Sequence, residues 1–394
     1  MALAARVSDN RDMRRALAIS AVLACGSPPP AAEVVSVPAA EAGASPTHVA
    51  ALASHARPFE LFVSYRMCAL ARGKLHCRDN VAPAIPLVHG PVLEGLEKLD
   101  VASAAFGRDF GCVTTAAGEV ECFGGNHFGQ LGAGVREEQH PAPIVVPGVR
   151  GARRVYAGPF TVCALLEDGR VSCWGKNQQG ENGSSTNYLE AARELVEPQI
   201  VRGVSNVDEL ALAWNTTCAA ATDGRVWCWG SAKLAEQRAG GDANEIPALV
   251  PSLANAKSLT ANEESFCAVR NEKVVCWGNL MTLSAGGARD ELTTIPIEHA
   301  QRVSLGSLHA CAVDAAGAVY CFGSNTAGEI GVPVDKDRWQ PLPPTRVAGI
   351  PRALDVYAGS SNSCALTIQN EVWCWGRFDW ETQDVRAPFR VAIL

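Results

Sequence analysis

No apolar run in the 394-residue sequence, the short stretch near its start included, is long enough to cross a membrane, since a spanning helix needs about 20 such residues. No two cysteines are separated by two residues, which removes the usual ligand spacing of a zinc ribbon and the motif of a thioredoxin-like centre. No H-E-x-x-H and no G-x-S-x-G elbow occurs, and the 8 histidines are scattered. Positive charge is also short: 34 Lys and Arg against 41 Asp and Glu leave a net charge of −7, without the basic stripe a nucleic-acid surface requires. These absences predict a chain with no catalytic set, no cofactor or metal, and no nucleic-acid partner.

Cysteine, by contrast, is abundant and ordered. Of the 15 cysteines, 14 form pairs at nearly constant spacing: Cys68 with Cys77, Cys112 with Cys122, Cys163 with Cys173, Cys218 with Cys228, Cys267 with Cys276, Cys311 with Cys321 and Cys364 with Cys374. First cysteines recur every 44 to 55 residues, the mark of an array whose unit is one supersecondary element. In Cys163 to Cys173 an antiparallel hairpin would set Ala164 opposite Ser172 and Leu165 opposite Val171, leaving Glu167-Asp168-Gly169 as the loop. The shorter Cys267 to Cys276 closes over Asn271-Glu272. Both lengths keep the cysteines face to face, with Cβ atoms about 4.5 to 5.5 Å apart and within reach of a disulfide. Seven cross-strand disulfides are expected, as in an oxidising compartment; the alternative is fourteen free cysteines serving as small buried hydrophobes in the cytosol.

The N-terminus points the same way. Arg14-Arg15 precede the short apolar stretch Ala16 to Ala24, then Cys25 and Gly26, an order typical of a secretory signal. Val22-Leu23-Ala24-Cys25 resembles the lipobox of bacterial lipoproteins, which implies cleavage before Cys25 and its acylation; an ordinary signal peptide is the alternative. Residues 1–24 are accordingly expected to be a signal peptide, and residues 25–56, rich in Pro and Ala, a lipidated and disordered tether.

Residues 57–394 leave about 48 residues per cysteine pair, too many for one hairpin and suited to a four-stranded propeller blade. A Pro-x-x-Val strand recurs at Pro143, Pro198 and Pro247 and ends the chain at Pro388-Phe389-Arg390-Val391, whereas none precedes the first pair. An all-β, seven-bladed β-propeller is expected, its ring closed by the C-terminal strand completing the N-terminal blade. Phe123, Trp174, Trp229, Trp277, Phe322 and Trp375, one after each later second cysteine, are expected to pack between blades.

The runs Phe123-Gly124-Gly125-Asn126-His127-Phe128-Gly129-Gln130-Leu131-Gly132, Trp174-Gly175-Lys176-Asn177 through Gly183, and Phe322-Gly323-Ser324-Asn325 through Gly331 resemble the regulator of chromosome condensation repeat family, as does His309-Ala310-Cys311-Ala312-Val313. The resemblance spans residues 57–394 and implies the same seven-bladed propeller. It also implies the family's nucleotide exchange on a nuclear GTPase, which export and the acidic balance disfavour.

The function expected is that of an exported, lipid-anchored monomer serving as a rigid protein-binding scaffold at the bacterial cell envelope, with Gly26 leaning towards the outer membrane. An envelope enzyme or a glycan-binding protein acting on polysaccharide is the alternative. Equivalent turns before each first cysteine should form a ring around one mouth: Arg66, Phe110, Thr161, Thr216, Ser265, His309 and Asn362, with Phe160 and Trp214 beside them. Residues 181–197 and 231–246 form a second candidate surface, with a short helix expected over Glu190 to Val196.

Overall fold

The computed structural model describes residues 59–63, 67–78, 92–134, 139–183, 194–231, 246–280, 283, 291–334, 340–378 and 385–392. The signal, Cys25, the tether to residue 56, residues 57 and 58, and Arg66 lie outside them. Within them the cysteine register holds: Cys163 pairs with Cys173, Ala164 with Ser172 and Leu165 with Val171. In the shorter unit Cys267 pairs with Cys276 and Arg270 with Lys273, so Asn271 and Glu272 form the loop, both at positive φ (49° and 59°) as a two-residue hairpin turn demands. The other five units keep the same opposition, with Cys68 facing Cys77, Cys112 facing Cys122, Cys218 facing Cys228, Cys311 facing Cys321 and Cys364 facing Cys374. Leu166 N donates to Arg170 O, so by alternation the cysteines fall at non-hydrogen-bonded positions, where opposed strands come closest. All seven pairs have Cα atoms 4.0 to 4.1 Å apart and sulfurs at bonding distance, compatible with seven disulfides.

Each hairpin gains an inner strand before it and an outer strand after it. Blade two is Val101–Phe106, Phe110–Thr115, Val120–Gly125 and Gln139–Val145; blades three to seven repeat that four-stranded order. The first strands of all seven blades line one axial channel, which makes the molecule an all-β, seven-bladed propeller. Glu194–Ile200 is the outer strand of blade three, so the helix expected at Glu190 to Val196 is strand from Glu194 on, and residues 190–193 lie outside the described residues.

Closure differs from the expectation. The C-terminal strand, Val385–Val391, pairs with Val372–Arg377 of its own blade and does not complete the N-terminal one. Blade one has its own inner strand, Glu60–Val63, beside Met67–Ala71 and Lys74–Arg78. Its outer position is held by the bridge of His76 to Val92 and by Leu93 N donating to Leu75 O, which matches Val146 N to Val120 O in blade two. The physical reason is that every blade is cut from contiguous chain, so the Pro-x-x-Val strand ends its own unit. Ring closure is left to side chains: Phe59, Leu61, Met67 and Ala69 pack against Cys364, Leu366, Val372, Cys374 and Phe378.

Seven such clusters, one per junction, form the core. Adjacent residues of a strand face opposite sides of its sheet, so Cys173 and Trp174 point to different neighbours. Trp174 packs on Cys112 and Cys122 of the preceding blade, while Cys163 and Cys173 receive Trp229 of the following one. In the same way Cys218 and Cys228 receive Trp277, Cys267 and Cys276 receive Phe322, and Cys311 and Cys321 receive Trp375, all three aromatics buried as expected. Arg78 follows Cys77 where the other blades have an aromatic, so Phe59 and Met67 fill that place at the closing junction.

Candidate partner-binding face

Because strand directions alternate, the turns between first and second strands and the connections between third and fourth leave the disc on one face, here the upper face. Of the second surface inferred from sequence, residues 184–193 and 232–245 lie outside the described residues. The upper turns of blades two to seven are two-residue hairpins: Gly107 N donates to Phe110 O, Gly158 to Thr161, Ala213 to Thr216, Asn262 to Ser265, Gly306 to His309 and Gly359 to Asn362. The tips are thus Arg108-Asp109, Pro159-Phe160, Trp214-Asn215, Glu263-Glu264, Ser307-Leu308 and Ser360-Ser361. Neighbouring tips are stitched together, with Arg108 N donating to Pro159 O (3.1 Å), Trp214 N to Glu263 O (2.9 Å) and Ser307 N to Gly359 O (3.1 Å).

This geometry corrects the ring expected from sequence. Phe110, Thr161, Thr216, Ser265, His309 and Asn362 open the second strands and are buried, so they hold blades together and offer no surface to a partner. The accessible positions lie one and two residues earlier, where Phe160 and Trp214 sit half-exposed. A two-residue loop before the cysteine strand was the signal that could have placed them.

His309 shows what a buried member does. Ser363 Oγ donates to Glu329 O (3.0 Å), so with its one proton committed it must accept from His309 Nε2 (2.8 Å). Burial lowers the imidazole to about 3, which keeps it neutral. Trp375 Nε1 donates to the same Glu329 carbonyl (2.7 Å).

The glycine-rich runs build that carbonyl. Asn126, Asn177 and Asn325 accept through Oδ1 from the amides of Leu131, Asn182 and Ile330, tying each loop into a knot. The knot aims Gln130 O, Glu181 O and Glu329 O at the indole N–H groups of Trp174, Trp229 and Trp375 in the following blades. Gly132, Gly183 and Gly331 sit at φ of 65° to 76° against those indoles, where a Cβ would come within 2.7 to 3.2 Å of the ring. The Asn-x-x-Gly motif is therefore a clasp between blades.

On the upper face three consecutive blades bring their aromatics together. Phe128 and Phe160 have ring centroids 4.9 Å apart, Phe160 and Trp214 5.6 Å. Arg108 lies 5.8 Å and Lys176 5.7 Å from the Trp214 ring. Lys176 is almost fully buried, 3.5 Å from the enclosed Glu181 carboxylate and hydrogen-bonded to Asn215 Oδ1. Buried ion pairs of this kind fix geometry more than they add stability.

The axial channel, by contrast, is filled with compensating charge. Six inner strands carry a bulge at one height, which turns neighbouring residues such as Arg153-Arg154 and Asp208-Glu209 towards the axis. Arg153 pairs with Asp208 (2.8 Å), and Arg154 reaches past blade two, whose strand lines the channel with Val101, Ala102, Ala104 and Ala105, to pair with Glu60 of blade one. Burial raises Tyr156 to about 12 and raises Glu209 despite the Ser258 and Leu259 amides. Unpaired inner edges are also covered, as Ser103, Ser258, Thr260 and Ser304 each accept an amide of the next blade.

Residues 152–181, 301–329 and 354–379 match one description of the regulator of chromosome condensation (RCC1) repeat, and residues 316–366 match a second. The chain therefore carries regulator of chromosome condensation repeats over these segments. Among its relatives, the ultraviolet-B receptor UVR8 of Arabidopsis thaliana is 25% identical over 306 residues, 72% of this chain and 67% of that protein. Protein pim1 of Schizosaccharomyces pombe is 30% identical over 157 residues, 36% of this chain and only 29% of its own length. Among solved structures, yeast RCC1 (Prp20) bound to Kap60 superposes with a TM-score of 0.62 at 18% identity, covering 84% of this chain and 85% of that one. Human WBSCR16 gives 0.64 at 18% identity, covering 84% and 94%. These RCC1-repeat likenesses establish the fold. The families matched are repeat families and none is catalytic.

Proposed function

We propose that this RCC1-repeat protein is an exported, rigid disc that binds another protein through its upper face. The observation that carries the reading is the half-exposed aromatic cluster of Phe128, Phe160 and Trp214, drawn from three blades and held by the bonds of Phe128 N to Gln130 Oε1, Lys176 N to Phe160 O and Trp214 N to Glu263 O. Large aromatics on a pre-organised support are what interface hot spots are made of, because little side-chain freedom remains to be lost on association. Yeast RCC1 seen with Kap60 supports a protein rather than a small molecule as the ligand. The balanced charge of the channel favours no small ionic ligand there.

Export is supported by seven cysteine pairs at bonding distance and by the lipobox-like Val22 to Cys25. Lipid anchoring at Cys25 would hold a monomeric disc at the cell envelope. The test is affinity capture from host envelope with the full chain carrying Cys25→Ser, beside a twin that also carries Phe160→Ala and Trp214→Ala. A saturable protein captured by the first and lost from the second supports the reading, and equal capture by both contradicts it. Acylation is read by incorporation of a tagged fatty acid into the wild type and its loss in Cys25→Ser.

A further inference from the structure

We propose that Arg108 makes the upper face a receptor for an acidic segment of its protein partner, in which a carboxylate stands next to an apolar or aromatic side chain; this rests on the upper face being the binding face. Arg108 is exposed at the tip of blade two, and its main chain is held by the bond from its amide to Pro159 O. Its guanidinium lies 5.8 Å from the centre of Trp214, a residue of blade four, so it reaches beyond Phe160 of the blade between. A guanidinium resting on an indole has lost much of its rotamer freedom before any ligand arrives, while its N–H fork keeps the geometry that matches a carboxylate.

Three other charged groups around the patch have partners of their own. Lys176 is matched by Glu181 and Asn215, Asp109 accepts from Gln130 Nε2 at 3.4 Å, and Glu264 is bonded to Asn279. Among the described residues no acidic side chain pairs with Arg108. It is therefore the cation of the cluster left without an acidic side-chain partner, and the rings of Phe128 and Phe160, tilted 54° to each other, form an apolar shelf in the same cluster. A segment carrying a carboxylate beside an apolar side chain satisfies both features together. A basic segment would meet repulsion, and a purely apolar one would cover the fork without pairing it.

The experiment pans a phage-displayed library of random dodecapeptides against the full chain, purified with its disulfides intact, and measures the enriched peptides by calorimetry on wild type, Arg108→Gln and Trp214→Ala. Enriched peptides are expected to carry Asp or Glu within two residues of an aromatic or large aliphatic residue. Affinity should fall roughly tenfold to a hundredfold in Arg108→Gln, the range of one charge-assisted bond. Replacing the peptide's acid by its amide should cost the wild type as much and cost Arg108→Gln almost nothing. Peptides without acids, weakened by Trp214→Ala but not by Arg108→Gln, would overturn the acidic-partner inference and leave the binding face standing. Peptides indifferent to both substitutions, or no enrichment over a Phe160→Ala, Trp214→Ala control, would overturn both. A dimer in light scattering that Arg108→Gln dissociates would make the occupant a second copy and likewise overturn the inference.

Discussion

His309 illustrates how one residue can set a pH response. It is neutral and buried in the folded chain, with its proton affinity depressed from 6.5 to about 3. Between those values the unfolded chain binds a proton that the folded chain does not, so stability is complete above about pH 6.5 and is lost as pH falls. The expected loss is about 1.4 kcal/mol per pH unit in the upper part of that window. Urea unfolding at several pH values measures it: the slope of stability against pH between 4 and 6 should be smaller by one proton in His309→Gln than in wild type, and equal slopes would refute the assignment. Glycine offers a matched pair. Gly183 and Gly203 both have positive φ, 65° and 83°, but a Cβ at 183 would lie 2.8 Å from Val201 and 3.0 Å from Trp229, whereas at 203 it meets nothing. Gly203→Ala should cost about 1 kcal/mol of backbone strain, and Gly183→Ala should cost about 1 to 3 kcal/mol more as the clasp is forced open. Thermal unfolding of the two variants separates the contributions.

At the scale of the element, the unit is a cross-strand cysteine pair on one face of a hairpin and an aromatic on the other. The direct opposition of the cysteines and the burial of the following Trp were both legible in the sequence, because two-residue alternation and hairpin loop length leave little choice. The closing strand was not. In a ring of repeats the order of strands is the same wherever the circle is cut, and Glu60–Val63 is a short strand without the Pro-x-x-Val mark that identifies outer strands. The candidate site was partly legible for a related reason. Phe160 and Trp214 were reached through their nearness to the buried positions, while Arg108 was missed because only the two-residue loop, known from the hydrogen bonds Gly107 to Phe110 and its equivalents, fixes which residues form the tip. The closing junction has a consequence of its own. It lacks the Trp clasp and joins blade seven to a blade whose inner strand, Glu60–Val63, has only 4 residues. Hydrogen–deuterium exchange should find the amides of Met67–Ala71 exchanging sooner than those of Thr161–Leu166; the reverse order would show that closure is as firm as the other junctions.

Across the whole molecule, seven hairpin staples and seven side-chain cores make a disc without a shared closing strand. Each short disulfide loop is worth about 2 to 3 kcal/mol on the chain-entropy account, though the contributions act on one unfolded ensemble and do not add simply. Thirteen of the fourteen paired cysteines are exposed by 2% or less, and Cys77 by 8%. A reductant should therefore release thiols from the native protein slowly, beginning with the pair of Cys68 and Cys77, and release all fourteen once guanidinium has unfolded it. Rapid native-state reduction of every pair would contradict a disulfide-braced scaffold, and intact protein that is no lighter than its fully reduced form would remove the argument for export.

The claim that most needs a direct answer is that the upper face meets a protein in the cell. Photo-cross-linkable benzoylphenylalanine placed at Phe160 on that face, at Asn271 in a hairpin turn on the opposite face and at Leu249 on an outer strand would report contacts in living host cells. A discrete adduct formed from position 160, absent from 271 and weak or absent from 249, is the predicted result. Adducts from 271 or 249 with none from 160 would place the partner elsewhere and contradict the account.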